Sequence, residues 1–198
     1  MINKLKIVMV VAWLLAVLHF YIQNIHETHS AHIQRLENQI FTLATRNEEL
    51  VSVREELVRQ ETFKRQLECL AMNIYHEARS ESYDGRLAVA TVTMNRVNHE
   101  KFPSTVCGVV WQARGKSCQF SWTCDGKSDR IRNQEAYAES VEMAENVLLN
   151  GLRSYKIGKE VYHYHADYVN PNWETKYNAE LIAQVDTHKF YRIAYYAN

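Results

Sequence analysis

The chain has 198 residues, and its 23 basic residues balance its 23 acidic residues, so the formal net charge is zero. Proteins that bind nucleic acid usually carry an excess of positive charge, and this balance argues against that class of partner. The length suffices for one folded domain beside a helical extension, and the scarcity of Gly and Pro (6 and 2 residues) argues against flexible linkers.

An uncharged, apolar segment lies near the amino terminus, between residues 7 and 22. Extended to residues 5–25 it would be about 31 Å long as a helix, which matches the hydrocarbon core of a membrane. Bulky residues follow it, so an uncleaved signal anchor is favoured over a cleaved signal peptide. A buried helix of a soluble domain is the third interpretation, and it lacks the polar face that such a helix needs.

The charges around this segment predict its orientation. Lys4 and Lys6 precede the span, so the positive-inside rule places the amino end in the cytoplasm and exports the remainder. We therefore expect residues 1–25 to be a single-pass anchor in the cytoplasmic (inner) membrane, with the following domain in the periplasm.

Residues 26–68 show the apolar spacing of a coiled coil and predict a helical stalk. In a heptad, the a positions are Ile33, Ile40, Asn47 and Arg54, and the d positions are Leu36, Leu43, Leu50 and Leu57. Asn47 at an a position favours a parallel two-stranded pairing, whereas Arg54 weakens the seam. A parallel homodimer is thus one expectation, and a single solvated helix with one apolar stripe is the alternative.

The four cysteines are Cys69, Cys107, Cys118 and Cys124, all on the exported side of the predicted anchor. An even number of cysteines in an exported domain supports disulfides, and four cysteines allow three pairings. The short spacing of Cys118 and Cys124 favours that pair, which leaves Cys69 with Cys107. The spacing does not match a zinc site of the C-x-x-C type.

The elements predicted for residues 69–198 are mostly helical. Helical periodicity predicts helices over 67–79, 86–98 and 132–150, with Gly151 ending the last, and a shorter helix starts at Pro103 and runs through Gln112. Tyr83-Asp84-Gly85 is predicted to be a turn in which Asp84 caps the next helix. Strands are predicted at the QFSW segment and over 160–165, 181–186 and 189–196. The pattern predicts an α+β domain with a small antiparallel sheet.

Glu77 stands at the end of an otherwise apolar helix, beside His76. Desolvation of a carboxyl group among apolar neighbours raises its pKa, as a general acid requires. Spacing alone does not distinguish this role from that of a surface glutamate.

Several motifs together carry more information than Glu77 does alone. The segments are NIYHEARSESYDGRLAVATVTMNRV, FPSTVCGVVWQ, CQFSWTCDG, VYHYH, NPNW and HKFYR, in this order over residues 69–192. They resemble the cell-wall hydrolase family that includes the spore-cortex-lytic enzymes. The resemblance implies a lysozyme-like or lytic-transglycosylase-like fold, cleavage of peptidoglycan glycan strands, no cofactor or metal, and a catalytic glutamate in the E-A-R block, which is Glu77.

Two departures from the family pattern are visible. Ser80 stands where relatives often have Gly, which bears on the turn after Glu77. An anchor and stalk replace the separate wall-binding module of the spore enzymes, so a bacterial envelope enzyme or a phage lysis enzyme fits this chain better than a spore enzyme.

The resemblance implies a lytic transglycosylase, in which one carboxyl group serves as acid and then as base and a 1,6-anhydromuramic product forms. A water-using muramidase pairs two carboxylates, and the conceivable second groups are Glu81, Asp84, Asp125 and Glu174. Two further hypotheses are an amidase, which normally shows zinc ligands, and a non-catalytic wall-binding spacer protein.

Residues other than Glu77 are also predicted to form the site. Aromatic and polar side chains of two motifs are expected to bind the sugar, together with two aromatic residues further on: Gln119, Phe120, Ser121, Tyr162, His163, Tyr164, Trp173 and Tyr191. Asn95 and Arg96 are a polar pair that faces a groove in one interpretation. His163, His165 and His188 are conceivable as a metal trio, but buried, hydrogen-bonded histidines are the favoured interpretation.

Overall fold

The computed structural model describes residues 2–115 and 117–196, with side chains from Lys6 onward. The chain divides into two compact units, Met1–Val58 and Arg59–Asn198. Helix α1 (Ile2–Ala78) begins in the first unit and ends in the second. In the first unit every described side chain is exposed, including the predicted seam residues. The prediction of a long apolar amino-terminal helix is therefore confirmed.

The second unit contains all the other described elements, and they are short. After α1 come α2 (Tyr83–Val97), α3 (Val106–Val110), α4 (Gln134–Leu149) and α5 (Trp173–Lys176). The strands are β1 (Ala113–Arg114), β2 (Ser117–Cys118), β3 (His163–Ala166), β4 (Glu180–Val185) and β5 (His188–Arg192). Two 3₁₀ turns cover Ser121–Thr123 and Ala194–Tyr196. The predicted class, mostly helical with small antiparallel sheets, is confirmed.

Helix α2 is the centre of the core, because both of its faces are buried. Leu87, Ala90 and Met94 pack into a cluster with the end of α1, with α3 and with α4. Val89 and Val92 pack into a second cluster, which includes Phe190 of the sheet. The sequence predicted one apolar face for this helix. The structure buries a second face, as expected of a helix enclosed by other elements.

The larger sheet has the strand order β3-β5-β4 and is antiparallel throughout. In the register, His163 pairs with Tyr191 and Tyr164 pairs with Phe190. Strand β5 lies between its two neighbours, and this explains why Phe190 is completely buried. The smaller sheet is the β1–β2 hairpin.

Three local predictions were wrong. The QFSW segment is not a strand: Phe120 and Trp122 are buried, and the chain forms a 3₁₀ turn there. Residues 83–85 belong to α2 and not to a preceding turn, since the Ser82 hydroxyl caps the helix by accepting from the Gly85 N–H at 3.2 Å. The last predicted strand ends at Arg192.

The two disulfides join Cys69 to Cys107 and Cys118 to Cys124, as the sequence favoured. The first ties the buried end of α1 to α3. The second closes the loop that contains Phe120 and Trp122. Both therefore hold segments that carry core residues.

Candidate active site

A groove of about 1150 Å³ lies where the end of α1 meets α2, the β1–β2 hairpin and the three-stranded sheet. Polar and aromatic side chains from all of these elements line it. They include His76, Glu77, Arg96, Lys101, Arg114, Gln119, Phe120, Ser121, His163, Tyr164, Tyr168, Trp173, Tyr177 and Tyr196. A groove of this size and lining is suited to an extended polar ligand with flat apolar faces.

Glu77 lies in the last turn of α1 and reaches the groove from a half-buried position. Burial raises the pKa of its carboxyl group, whereas a hydrogen bond from Tyr164 and the charge of Arg96 oppose that rise. The Tyr164 hydroxyl donates to Glu77 Oε2 at 3.0 Å. Burial also raises the pKa of Tyr164 well above its usual value, so the phenol remains a neutral donor.

Arg96 is a buried cation in the lining of the groove, with 2% of its surface exposed. Its Nε donates to the Tyr162 carbonyl at 2.8 Å. When the Gln119 amide is oriented with its oxygen toward the guanidinium, the orientation that satisfies both groups, the terminal nitrogens of Arg96 donate to that oxygen at 3.0 and 3.2 Å. The guanidinium also lies against the rings of Phe102 and Phe120. Burial lowers the pKa of Arg96 to about 10, so the group stays charged at neutral pH.

Two histidines of the groove are held in the neutral form. Burial, aided by the charge of Arg96, lowers the pKa of His163 to about 3. His163 packs against Trp173, with ring centroids 5.5 Å apart, and its buried Nδ1 has no partner among the described residues. Burial also lowers the pKa of His76, whose ring stacks on Trp122 at 4.5 Å. Both rings are therefore uncharged at neutral pH, and neither adds a positive charge to that of Arg96.

Six of the eight residues predicted to bind substrate line the groove: Gln119, Phe120, Ser121, His163, Tyr164 and Trp173. Tyr162 and Tyr191 do not line it, so substrate binding by these two residues stays a prediction. Tyr162 is buried against His99 and Phe102. The Tyr191 hydroxyl donates to Glu174 at 3.0 Å and lies 3.1 Å from His165 Nε2. Both tyrosines contact residues that line the groove, Phe102 and His165 respectively.

The four conceivable second carboxylates have other partners. Glu81 accepts from the backbone and hydroxyl of Thr187 at 3.1 and 2.6 Å. Asp84 pairs with Lys156 at 2.6 Å. Asp125 pairs with Lys127, and Glu174 lies 2.7 Å from His165. Among the described residues, Glu77 alone supplies a carboxyl group to the groove lining.

Asn95 and Arg96, the polar pair on α2, have different roles in the structure. Asn95 donates to the carbonyls of Gly158 and Val161, both at 2.9 Å, and thereby stabilises a loop. Arg96 lines the groove. The signal for Arg96 was present in the sequence as a cation within an apolar helix. Lys101, Arg114, Tyr168, Tyr177 and Tyr196 also line the groove and were not predicted, because they lie in loops or short elements without a recognisable pattern.

Within the described part of the chain, no group of three or more His, Cys, Asp or Glu side chains has the arrangement of a metal site. His163, His165 and His188 all line the groove, yet each has a different surrounding. His165 contacts Glu174 and Tyr191, whereas His188 packs against Tyr164.

The structure is a mostly helical α+β domain. Its groove is lined by aromatic side chains and, among the described residues, by one partly buried carboxyl group. A family model described as Cell Wall Hydrolase matches residues 80–191, more than half of the chain, and the chain belongs to this family. The matched segment begins three residues after Glu77.

Curated relatives are similar over the same region. The chain is 29% identical over 125 residues to a spore cortex-lytic enzyme of Oceanobacillus iheyensis, which covers 63% of this chain and 40% of that protein. It is 30% identical to spore cortex-lytic enzymes of Bacillus cereus and Bacillus subtilis, over 54% and 52% of this chain. The chain thus spans well under half the length of these relatives, 37% and 30% for the last two.

Two solved structures are also similar. One is the crystal structure of the catalytic domain of the Bacillus cereus SleB protein, with 27% identity and a TM-score of 0.49, covering 65% of this chain and 91% of that one. The other is the catalytic domain of the germination-specific lytic transglycosylase SleB from Bacillus anthracis, with 28% identity and the same TM-score, covering 64% and 93%.

Proposed function

We propose that this protein is a membrane-anchored enzyme that cleaves the glycan strands of peptidoglycan as a lytic transglycosylase, with Glu77 as its general acid and base. The observation that carries the proposal is the position of Glu77: a carboxyl group with a raised pKa that lines a groove and accepts a hydrogen bond from Tyr164. Membership of the Cell Wall Hydrolase family and the similarity to spore cortex-lytic enzymes support the choice of substrate.

The reaction needs only one proton to be moved and returned. Protonated Glu77 donates to the bridging oxygen as the bond from the muramic acid C1 to that oxygen breaks. The muramic acid 6-hydroxyl then attacks C1 and forms the 1,6-anhydro ring, and its proton passes to the Glu77 carboxylate. The enzyme returns to its starting state without water and without a cofactor. A raised pKa suits this cycle because the group must begin protonated near neutral pH.

Tyr164 and Arg96 act at the stage of the cycle in which Glu77 is ionised. When Glu77 has lost its proton, the Tyr164 hydroxyl at 3.0 Å and the buried charge of Arg96 stabilise the carboxylate. Both interactions lower the pKa of Glu77 against the rise that burial causes. The balance keeps the group able to give and to retake a proton.

The lining of the groove favours transglycosylation over a water-using muramidase. Retaining and inverting glycosidases place two carboxyl groups across the scissile bond. The four acids that were conceivable as a second group, Glu81, Asp84, Asp125 and Glu174, are engaged elsewhere. With one carboxyl group in the described lining, an internal nucleophile supplied by the substrate is the simpler chemistry.

The amino-terminal part supports an anchored enzyme. The described chain has one helix, within Lys6–Ala78, with an apolar stretch sufficient by length and composition to cross a membrane, a test that a signal sequence also passes. We propose an anchor over residues 1–25, a stalk over 26–68 that pairs with a second copy in parallel, and a catalytic domain over 69–198. Two disulfides suit the oxidising periplasm, so the role is in a bacterial envelope or in phage lysis.

The activity is tested with full-length protein in a non-ionic detergent, incubated with purified peptidoglycan and followed by mass spectrometry of the soluble products. The parent is expected to release anhydro-muropeptides, and Glu77→Gln, which keeps the size of the side chain, is expected to release none. Glu145→Gln, at an exposed position of α4, is the matched control and should behave like the parent.

Different products would redirect the proposal. Reducing ends would mean that water is the nucleophile and that the enzyme is a muramidase. A parent protein that binds peptidoglycan and releases nothing would be a wall-binding spacer protein. For the anchor, extraction of host membranes at alkaline pH should leave the protein in the membrane fraction, and release into the soluble fraction would contradict the assignment.

A further inference from the structure

Trp173 lines the groove, although the helix that carries it, α5, is short and has no buried residue. The indole ring packs edge-on against His165 and Tyr191, with ring centroids 5.7 and 5.3 Å apart. Asn172, which precedes the helix, forms no side-chain hydrogen bond that caps it. The helix by itself therefore does little to fix the indole, whose position depends on contacts with the sheet.

Glu174, the next residue of α5, supplies such contacts. Its Oε1 lies 2.7 Å from His165 Nε2 of strand β3, and its Oε2 accepts from the Tyr191 hydroxyl of β5 at 3.0 Å. Burial and the hydrogen bond to Glu174 raise the pKa of Tyr191 to about 12, so this phenol stays a neutral donor. One carboxylate therefore joins α5 to two strands of the sheet.

The hydrogen bonds around His165 are complete only when its ring is protonated. Nδ1 lies 2.8 Å from the Ala166 carbonyl, and Nε2 lies 2.7 Å from the Glu174 carboxylate. Both partners are acceptors, and only the protonated ring donates from both nitrogens at once. The side chains of His165 and Glu174 are 8% and 27% exposed, so water and salt screen this ion pair less than a pair on the open surface.

The other ionisable groups that face His165 from strand β5 do not stabilise its charge. Lys189 lies opposite His165 in the strand register. Burial, and to a smaller degree the charge of His165, lowers the pKa of His188. Lys189 and His188 are cations when protonated, and like charges disfavour each other. Because Tyr191 is neutral, Glu174 is the group in direct contact with the ring that favours its protonated form.

We propose that the ion pair of Glu174 with protonated His165 holds Trp173 in the groove wall as a platform for a sugar ring, so that substrate binding weakens when His165 loses its proton. The inference rests on the proposed function and adds a pH-sensitive control of substrate affinity to it. Glu174 is then a positioning residue. Its described contacts involve neither Glu77 nor Tyr164, so loss of the ion pair should raise KM and spare kcat.

The test uses full-length protein in a non-ionic detergent. Glu174→Ala removes the carboxylate, whereas Glu174→Gln keeps its size and its capacity for hydrogen bonds without the charge. The matched control is Glu180→Ala, which removes a carboxylate that pairs with Arg192 on the same sheet and lies outside the groove lining. KM and kcat are measured on peptidoglycan, and binding is measured by co-sedimentation in the Glu77→Gln background at a series of pH values.

The expected result is a change in affinity that depends on pH. Glu174→Ala should raise KM and weaken binding about three- to tenfold, with kcat changed less than twofold, because a charge-assisted contact is lost. Binding by the parent should weaken as the pH rises through the range in which an imidazole loses its proton. Glu174→Gln should show little dependence on pH in that range, and Glu180→Ala should behave like the parent.

Two outcomes of these measurements would overturn the inference. A fall in kcat at unchanged KM in the Glu174 variants would mean that this carboxylate takes part in the chemistry. The same pH dependence of binding in the parent and in Glu174→Gln would mean that the charge of the pair has no part in binding.

A measurement without substrate separates this inference from the proposed reaction. The difference in fluorescence between a protein and its Trp173→Phe counterpart gives the emission of Trp173, and quenching by acrylamide reports how open that indole is to solvent. Quenching should be stronger in Glu174→Ala than in the parent and unchanged in Glu180→Ala. This result would support the ion pair even if the parent cleaves no peptidoglycan, which would overturn the proposed function alone. Equal quenching in the three proteins would overturn the inference even if the parent is a transglycosylase.

Discussion

The hydroxyl of Tyr164 donates a hydrogen bond to Oε2 of Glu77 across 3.0 Å, and these two residues are 87 positions apart in the sequence. The contact joins the last turn of α1 to strand β3. It also provides the acid with a neutral donor, since burial raises the pKa of Tyr164 well above its usual value.

Substitution of Tyr164 by Phe is expected to shift the pH dependence of cleavage. The hydrogen bond lowers the pKa of Glu77, so its removal raises that pKa, and the alkaline limb of the pH–rate profile should move to higher pH. The maximal rate should fall about tenfold, because the carboxylate formed during the reaction loses a donor. Tyr168→Phe, at an exposed groove position, is the control. An unchanged alkaline limb would contradict the pairing.

Substitution of Glu77 by Gln is expected to abolish cleavage and to stabilise the fold at neutral pH. The pKa of Glu77 is raised in the folded chain, so ionisation costs stability as the pH rises above the unfolded value. At pH 7 the melting temperature of the variant should exceed that of the parent by about 1–4 °C. Near pH 4 the two should converge, since the group is then largely protonated in both states. A constant difference across this range would argue against burial as its cause.

The two disulfides are expected to contribute unequally to stability. The Cys69–Cys107 bond closes a separation of 38 residues, whereas Cys118–Cys124 closes one of 6. Loop-closure entropy predicts losses of about 4 and about 2 kcal/mol, respectively, when each pair is replaced by Ala. Denaturant unfolding of the two double variants measures this difference. A larger loss for the shorter loop would show that packing around Phe120 and Trp122 outweighs chain entropy.

Gly85→Ala is expected to destabilise the contact between the start of α2 and the β4–β5 turn. A Cβ at this position would lie 2.4 Å from Asp186 Oδ2 and 2.8 Å from Glu81 Cβ. Asp186 accepts from the Ser82 backbone and hydroxyl at 2.8 and 2.6 Å, so its movement would break both bonds. We expect a loss of about 1–3 kcal/mol in unfolding free energy.

Gly158→Ala is the matched control for this substitution, because nothing lies within 4 Å of the added Cβ. Its unfolding free energy should stay within about 1 kcal/mol of the parent value. Equal effects of the two substitutions would mean that the β4–β5 turn shifts away from the Cβ added at Gly85 with little loss of unfolding free energy.

Much of the local structure could be predicted from the sequence, because it depends on spacing alone. The helical periodicity of α2 and α4 and the left-handed Gly151 after α4 were visible without tertiary information. The 3₁₀ turn at Ser121–Thr123 was predicted as a strand, since a short apolar segment has no period that separates the two. The Cys118–Cys124 pair followed from proximity along the chain.

The sequence by itself determined which residue types were available: an apolar amino-terminal helix, four cysteines, and a glutamate within a motif of the wall hydrolases. The tertiary structure decided their surroundings. Arg96 is buried beside Gln119, Tyr162 packs against His99, and Tyr191 donates to Glu174, and each of these contacts joins residues that are well separated in the chain. The pKa of Glu77 depends on such contacts, because desolvation and hydrogen bonding are properties of the folded surroundings and not of sequence neighbours.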